Sequence, residues 1–272
     1  MKKNTIGVFD SGLGGLSAVR KILEILPSED VIYFGDTGRV PYGNKSYETI
    51  KKYGRQSVKF LLDNNARIIL VACGTVSSVA IDDLRREFPD VPILGIIEGA
   101  SEKSVKIAEI TGNKKIGVIG TQATISSGAF EQYIYGLDDS CEVYSQACPL
   151  FVPLVENGHV KTGDMITKFA AEKYLQELSK LKISSLILGC THYPLIEKII
   201  GEVIETELID AGAEAAYRLQ QEMHDNNLLN VDGTGSLEIF VSDEGMNYKS
   251  IASNFLGFDV SSGIAKTDIE KY

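Results

Sequence analysis

A chain of 272 residues with 44% apolar and 24% charged side chains has material for two compact domains or one large one and the balance of an ordinary globular protein. Its formal net charge of −10 argues against a nucleic-acid partner, which would need clustered Lys and Arg to neutralise phosphates. No apolar run approaches the roughly 20 residues of a membrane span, and the run after Thr5 is too short for a secretory leader.

The first expected strand, 5–9, leads through "DSGLGG" into a helix over 15–26. With Asp36 about 20 residues further on, this has the outline of a dinucleotide fingerprint. The spacing breaks, because Gly12 and Gly14 fit but the third position is Ser17. Asp10 would also set a like charge beside a pyrophosphate. No nucleotide cofactor is expected. The glycines read either as a tight turn or as a way to bring backbone N–H groups to a small anion. A second strand, 31–35, opens the polar loop "FGDTGRVPYGNKS" at 34–46, read as a surface turn or a binding loop. A helix follows over 46–64.

The strand at 67–72 ends in Cys73, Gly74 and Thr75, ahead of a helix over 76–88, a strand at 92–97 and a helix over 100–110. The basic pairs at 51–52 and 85–86 read as solvated helix faces. The strand at 115–120 meets Thr121. Cys141 and Cys148 have no histidine nearby and no CxxC spacing, so they read as structural thiols and no zinc site is expected. "PLFVPLVENG" at 149–158 sets Glu156 in an apolar stretch, as either a tuned carboxylate or an exposed one. After a helix over 164–181, the strand at 184–189 runs into Cys190, Thr191 and His192. A helix over 211–223 closes the series.

Strands alternating with amphipathic helices predict an α/β fold with mainly parallel sheets. The order also repeats. "IGVFDSG" at 6–12 is echoed by "IGVIGTQ" at 116–122, and "LVACGT" at 70–75 by "LILGCT" at 186–191. Two similar α/β lobes with a cleft between them are expected, with ligands bound beyond the carboxyl ends of the strands. Cys73 and Cys190 would then face one cleft from two sides.

A lone cysteine is most often a buried core thiol. The matched context favours function, because each thiol sits where a strand gives way to a helix and is followed closely by Thr. His192 lies two residues from Cys190 and can pair with a thiolate. Such thiols could form a disulfide, if their Cα atoms lie within about 7 Å. One of them could be a nucleophile. They could also be paired acid–base groups on opposite faces of one carbon. The duplication suits the last best, since a stereocentre being inverted has two equivalent faces.

The FDSGLGGLS start, "GDTGRVPYG", "ACGT" and "LGCTHYPL" together resemble the glutamate racemases of the aspartate/glutamate racemase superfamily, from Ile6 to about Ile209. The resemblance implies a discontinuous first lobe of residues 1–97 plus 210–272 and a second lobe of 98–209. It implies cofactor-independent interconversion of L- and D-glutamate, supplying D-glutamate for peptidoglycan, by a homodimer without metal; the short apolar runs noted above make the cytoplasm the expected location. Carried over residue by residue, Cys73 takes the α-proton from D-glutamate and Cys190 from L-glutamate, with Asp10 and His192 beside them. Asp10, Ser11, Pro41, Tyr42, Gly43, Thr75, Thr121, Thr191 and His192 match substrate-site positions, and Glu156 an acidic position near the second cysteine. Gly74 departs from the family's Asn, so only a backbone contact carries over there. On this reading Gly74→Asn should change KM by about tenfold or less and spare kcat. The alternatives are a related isomerase acting on aspartate or another small acid, and a non-catalytic small-anion binding protein.

Overall fold

The computed structural model describes residues 5–230, 234–245, 248–260 and 263–272; the start of the chain, read above for a leader, falls partly outside them. Among the described residues ten strands form two parallel sheets. In the first, β1 (Thr5–Asp10) lies between β2 (Asp30–Gly35) and β3 (Ala66–Val71), with β4 (Ile93–Leu94) beyond β3. In the second, β5 (Lys115–Gly120) lies between β6 (Glu142–Ala147) and β7 (Ser185–Leu188), with β8 (Glu207–Asp210) beyond β7. The orders β2-β1-β3-β4 and β6-β5-β7-β8 are the same connectivity used twice, so the echo in the sequence is a repeat of topology. β9 (Leu237–Val241) and β10 (Ile264–Lys266) extend only the first sheet, beside β2.

Period-two alternation divides β1 between two cores. Ile6 and Val8 face a large core that continues through Ile96, Ile97 and Ala100 to Ile116 and Val118 of the second sheet. Phe9 faces the other way, into a core with Phe34, Phe60 and Val71. The lobes therefore share one apolar layer. The helices Leu16–Ile25, Ala211–Asp225, Ile97–Thr111 and Ala129–Leu137 pack in succession along it. Side-chain caps fix where several helices begin. Ser46 accepts from the Thr49 amide, and Asp210 accepts from the Gly212 and Ala213 amides at 2.8 and 3.2 Å. Asp164 accepts from the Ile166 and Thr167 amides.

The first lobe is stapled by chain segments far apart in sequence. The buried Phe60 ring meets Phe34 at 4.9 Å, Phe240 at 5.3 Å and Tyr272 at 5.4 Å between centroids. Phe60→Ala is expected to cost about 3–5 kcal/mol, the range for emptying a buried aromatic site. A urea-unfolding midpoint unchanged by the substitution would contradict this.

Three readings need correction. The strand expected at 92–97 is only Ile93–Leu94, and Ile97 already begins a helix. The helix expected over 76–88 is two, Gly74–Val79 and Ile81–Glu87, parted at Ala80 with φ −124°. The pair at 85–86 is only half solvated. Arg85 donates to the Ile93 carbonyl at 2.8 Å and to the buried Glu98 at 2.6 Å, tying the second of these helices to β4 and its sequel. Among the described residues no helix is long and apolar enough to cross a membrane.

Candidate active site

Parallel strands present their carboxyl ends on one side, and here six of them converge on one cavity of about 270 Å³. From the first sheet come Asp10–Gly12 after β1, Val40–Asn44 after β2, and Cys73–Thr75 after β3. From the second come Thr121 and Gln122 after β5, Cys148 and Pro149 after β6, and Cys190–His192 after β7. The helix Phe151–Glu156 adds Val152, Pro153 and Glu156. Every site residue singled out in the sequence lines this cavity.

Cys73 and Cys190 occupy equivalent positions in the two repeats, just past β3 and β7, and both are buried. Their surroundings differ. The Cys73 thiol donates to Ser11 Oγ at 3.3 Å. Burial pushes it up to about 12, with the nearby Asp10 charge adding to the effect and the Ser11 bond partly offsetting it. At neutral pH it is a thiol. Asp10 is itself raised by burial, against the charge of His192 and the amides of Gly15, Gly12 and Ser11. Its Oδ2 accepts from the Gly12 amide at 3.1 Å.

Cys190 faces a cation instead. His192 Nδ1 lies 3.9 Å from Cys190 Sγ, and Nε2 lies 3.2 Å from Glu156 Oε1. Burial alone would lower His192. The hydrogen bonds to Cys190 and Glu156, with the charge of Asp10, outweigh it and bring the imidazole up to about 10. An imidazolium at this position stabilises a thiolate on Cys190. The Glu156 side chain is 42% exposed, so the pair reaches from the buried thiol to the solvent side of the cavity. The Phe255 ring meets His192 edge-on at 5.4 Å. A Cβ at Gly14 would lie 2.5 Å from both His192 Nδ1 and Thr191 Oγ1, so only glycine lets this turn pack against them.

The remaining wall is uncharged, with the hydroxyls of Ser11, Thr75, Thr121 and Thr191 set among apolar Val40, Pro149, Val152 and Pro153. Thr75 and Thr121, from different sheets, share a 3.0 Å hydrogen bond across the cavity floor. Among the described residues lining the cavity there is no Lys or Arg. An anionic ligand would be held by hydroxyls, backbone N–H groups and His192. The 34–46 loop is braced rather than loose. The buried Tyr42 hydroxyl donates to Asp36, and Asp36 also accepts from Arg39 Nε at 2.7 Å. Arg39 in turn stacks on the Tyr53 ring at 3.9 Å.

Gly14, read as part of a tight turn, packs that turn against His192 and Thr191, while the Asp36–Arg39 brace and the placement of Cys148 were not seen in the sequence. The Asp–x–x–Arg spacing in "GDTGR" was the available signal for the brace. Cys148 was read as lacking site surroundings, yet it lines the cavity. Burial first, then the neighbouring Cys190, raises its thiol, as suits an inert wall group. Among the described residues no group of three or more His, Cys, Asp or Glu side chains converges as a metal site would.

Two parallel sheets with repeated topology and a cysteine at the matching strand end of each define a racemase-type scaffold, and comparison with known proteins agrees. The model of the Asp/Glu/Hydantoin racemase family matches residues 6–219, and the chain belongs to that family. Its relatives there include the glutamate racemase of Aquifex aeolicus, 42% identical over 256 residues, which span 94% of this chain and 95% of the relative. The crystal structure of glutamate racemase from Francisella tularensis in complex with D-glutamate superposes with a TM-score of 0.92 at 35% identity, covering all of both chains. That of the Thermus thermophilus enzyme with β-chloro-D-alanine gives 0.87 at 36% identity, covering 99% of each.

Proposed function

We propose that this chain racemises glutamate without a cofactor, using Cys73 and Cys190 as an acid–base pair on opposite faces of the α-carbon. The observation that carries the reading is the pair of thiols on one cavity wall, contributed by equivalent strand ends of two repeated sheets and held in opposite environments. In the resting enzyme the His192 cation faces Cys190 Sγ, where it stabilises a thiolate, and Cys73 is a thiol. The Cys190 thiolate removes the α-proton of L-glutamate, and the Cys73 thiol delivers its own proton to the other face. The products are D-glutamate, a Cys190 thiol and a Cys73 thiolate; D-glutamate reacts with this form in reverse.

Asp10 offers its carboxylate to the substrate ammonium on the Cys73 side. Glu156 keeps His192 charged. The hydroxyls of Ser11, Thr75, Thr121 and Thr191, and the backbone around Pro41, Tyr42, Gly43 and Gly74, receive the two carboxylates. The sheet membership of the strands supports a first lobe of 1–97 plus 210–272 and a second of 98–209. The reading extends to a cytoplasmic homodimer supplying D-glutamate for peptidoglycan, a setting in which the four unpaired cysteines stay reduced.

The test is circular dichroism of L-glutamate incubated with purified protein and no added cofactor. The signal should decay to zero as the racemic mixture forms. A constant signal rejects racemisation. Decay only after adding pyridoxal phosphate or a metal rejects the cofactor-free mechanism.

A further inference from the structure

The two cysteine loops touch through their backbones. Gly74 follows Cys73, Gly189 precedes Cys190, and a Cβ on Gly74 would lie 2.2 Å from the Gly189 carbonyl oxygen and 3.3 Å from its carbonyl carbon. Neither side can give cheaply. Gly189 is held to the second sheet by its amide, which donates to the Ile119 carbonyl at 2.8 Å. A Cβ on Gly189 would meet that same oxygen at 2.8 Å. Gly74 begins the helix Gly74–Val79, where the Ser77 amide donates to the Cys73 carbonyl at 2.9 Å and Ser78 Oγ to the Gly74 carbonyl at 2.6 Å. The seam continues in the Thr75–Thr121 bond and at Gly43, whose Cβ would lie 3.1 Å from Thr121 Cβ.

We infer that Gly74 is a positioning residue that sets the separation of the two thiols, by letting the loops that carry them meet backbone to backbone. This rests on the two-thiol reading. The Asn that the family carries at this position needs loops that stand farther apart; in this chain they close over Gly74, so Gly74→Asn is expected here to lower kcat instead of sparing it. A transfer relayed across one carbon needs both thiols within reach at once, and a displacement of about 1 Å can cost about a hundredfold in rate. A widened gap leaves each thiol able to reach its own face. Proton removal therefore survives better than delivery from the opposite side.

The experiment is Gly74→Ala in D2O, following α-deuterium incorporation by NMR and inversion by circular dichroism. We expect inversion to fall about a hundredfold in kcat, and exchange with retained configuration to rise relative to inversion. Gly136→Ala, which adds its Cβ into open space, should leave both rates unchanged. Gly43→Ala, a milder intrusion on the same seam, should shift the exchange-to-inversion ratio in the same direction, and it carries the test if Gly74→Ala does not fold. Inversion within about threefold of the parent overturns the inference. A parallel fall of exchange and inversion in folded protein also overturns it, because that is a structural effect alone. Failure of the two-thiol reading would look different: Cys73→Ala or Cys190→Ala would keep racemising, whatever Gly74→Ala does.

Discussion

Cys73→Ala and Cys190→Ala are each expected to lower racemisation by at least about 10²–10⁴, the usual loss for removing a general acid or base, and in both directions. Inversion needs one group to take the proton and another to give one back on the opposite face, so neither thiol substitutes for the other. Each variant keeps half of the chemistry. Cys73→Ala retains the Cys190–His192 pair and should still exchange the α-proton of L-glutamate for deuterium, with retention. Cys190→Ala should exchange only D-glutamate, and slowly, because Cys73 is held as a thiol up to about pH 12. Cys141→Ala, outside the cavity, should stay within a few fold of the parent. NMR exchange assays on both enantiomers read these outcomes directly. Near-normal turnover by Cys73→Ala would sink the two-base assignment.

The parts of the molecule legible in the sequence were those whose signal is local. Buried parallel strands such as 67–72 and 115–120 are short Ile- and Val-rich runs, and β1, β2, β3, β5 and β7, all interior to their sheets, announced themselves in this way. The cysteine loops were visible because the same device occurs twice. Less legible were the edge and near-edge strands. β6 is half exposed along its length and polar, and β10 is three residues with little burial, so neither carries the apolar pattern that marks a strand. Ile97 reads as the end of an apolar run, but tertiary packing places it in the first turn of a buried helix. Cys148 could not be placed from its neighbours in sequence, because what brings it to the cavity is the pairing of β6 with β5. The collision at Gly74 was hidden for the same reason: its partner is Gly189, in the other lobe.

Replacing His192 by Gln should lower kcat/KM by roughly 10²-fold at neutral pH and abolish its fall in the alkaline range. His192 is raised to about 10, so it is an imidazolium below that pH and loses its charge as the pH rises through it. The parent enzyme should accordingly hold its activity into the alkaline range and fall above about pH 10, as Cys190 loses the cation 3.9 Å away. Since kcat/KM reports groups of the free enzyme, this limb belongs to the unliganded pair. L- and D-glutamate have equal free energies in water, so kcat/KM must match in the two directions at every pH, and the limb must appear in both. In His192→Gln the cation is absent at all pH values. A thiolate on Cys190 then has no cation beside it and faces the carboxylates of Asp10 and Glu156, so activity is lower throughout and the limb near pH 10 that belongs to His192 should vanish. Glu156→Gln separates this from a packing defect. It keeps the shape of the contact but removes one of the groups that raise His192, so the alkaline limb should move to lower pH with little loss at neutrality. A parent limb unmoved by Glu156→Gln would show that the imidazolium is not the group that titrates, and the charge relay from Glu156 through His192 to Cys190 would have to be abandoned.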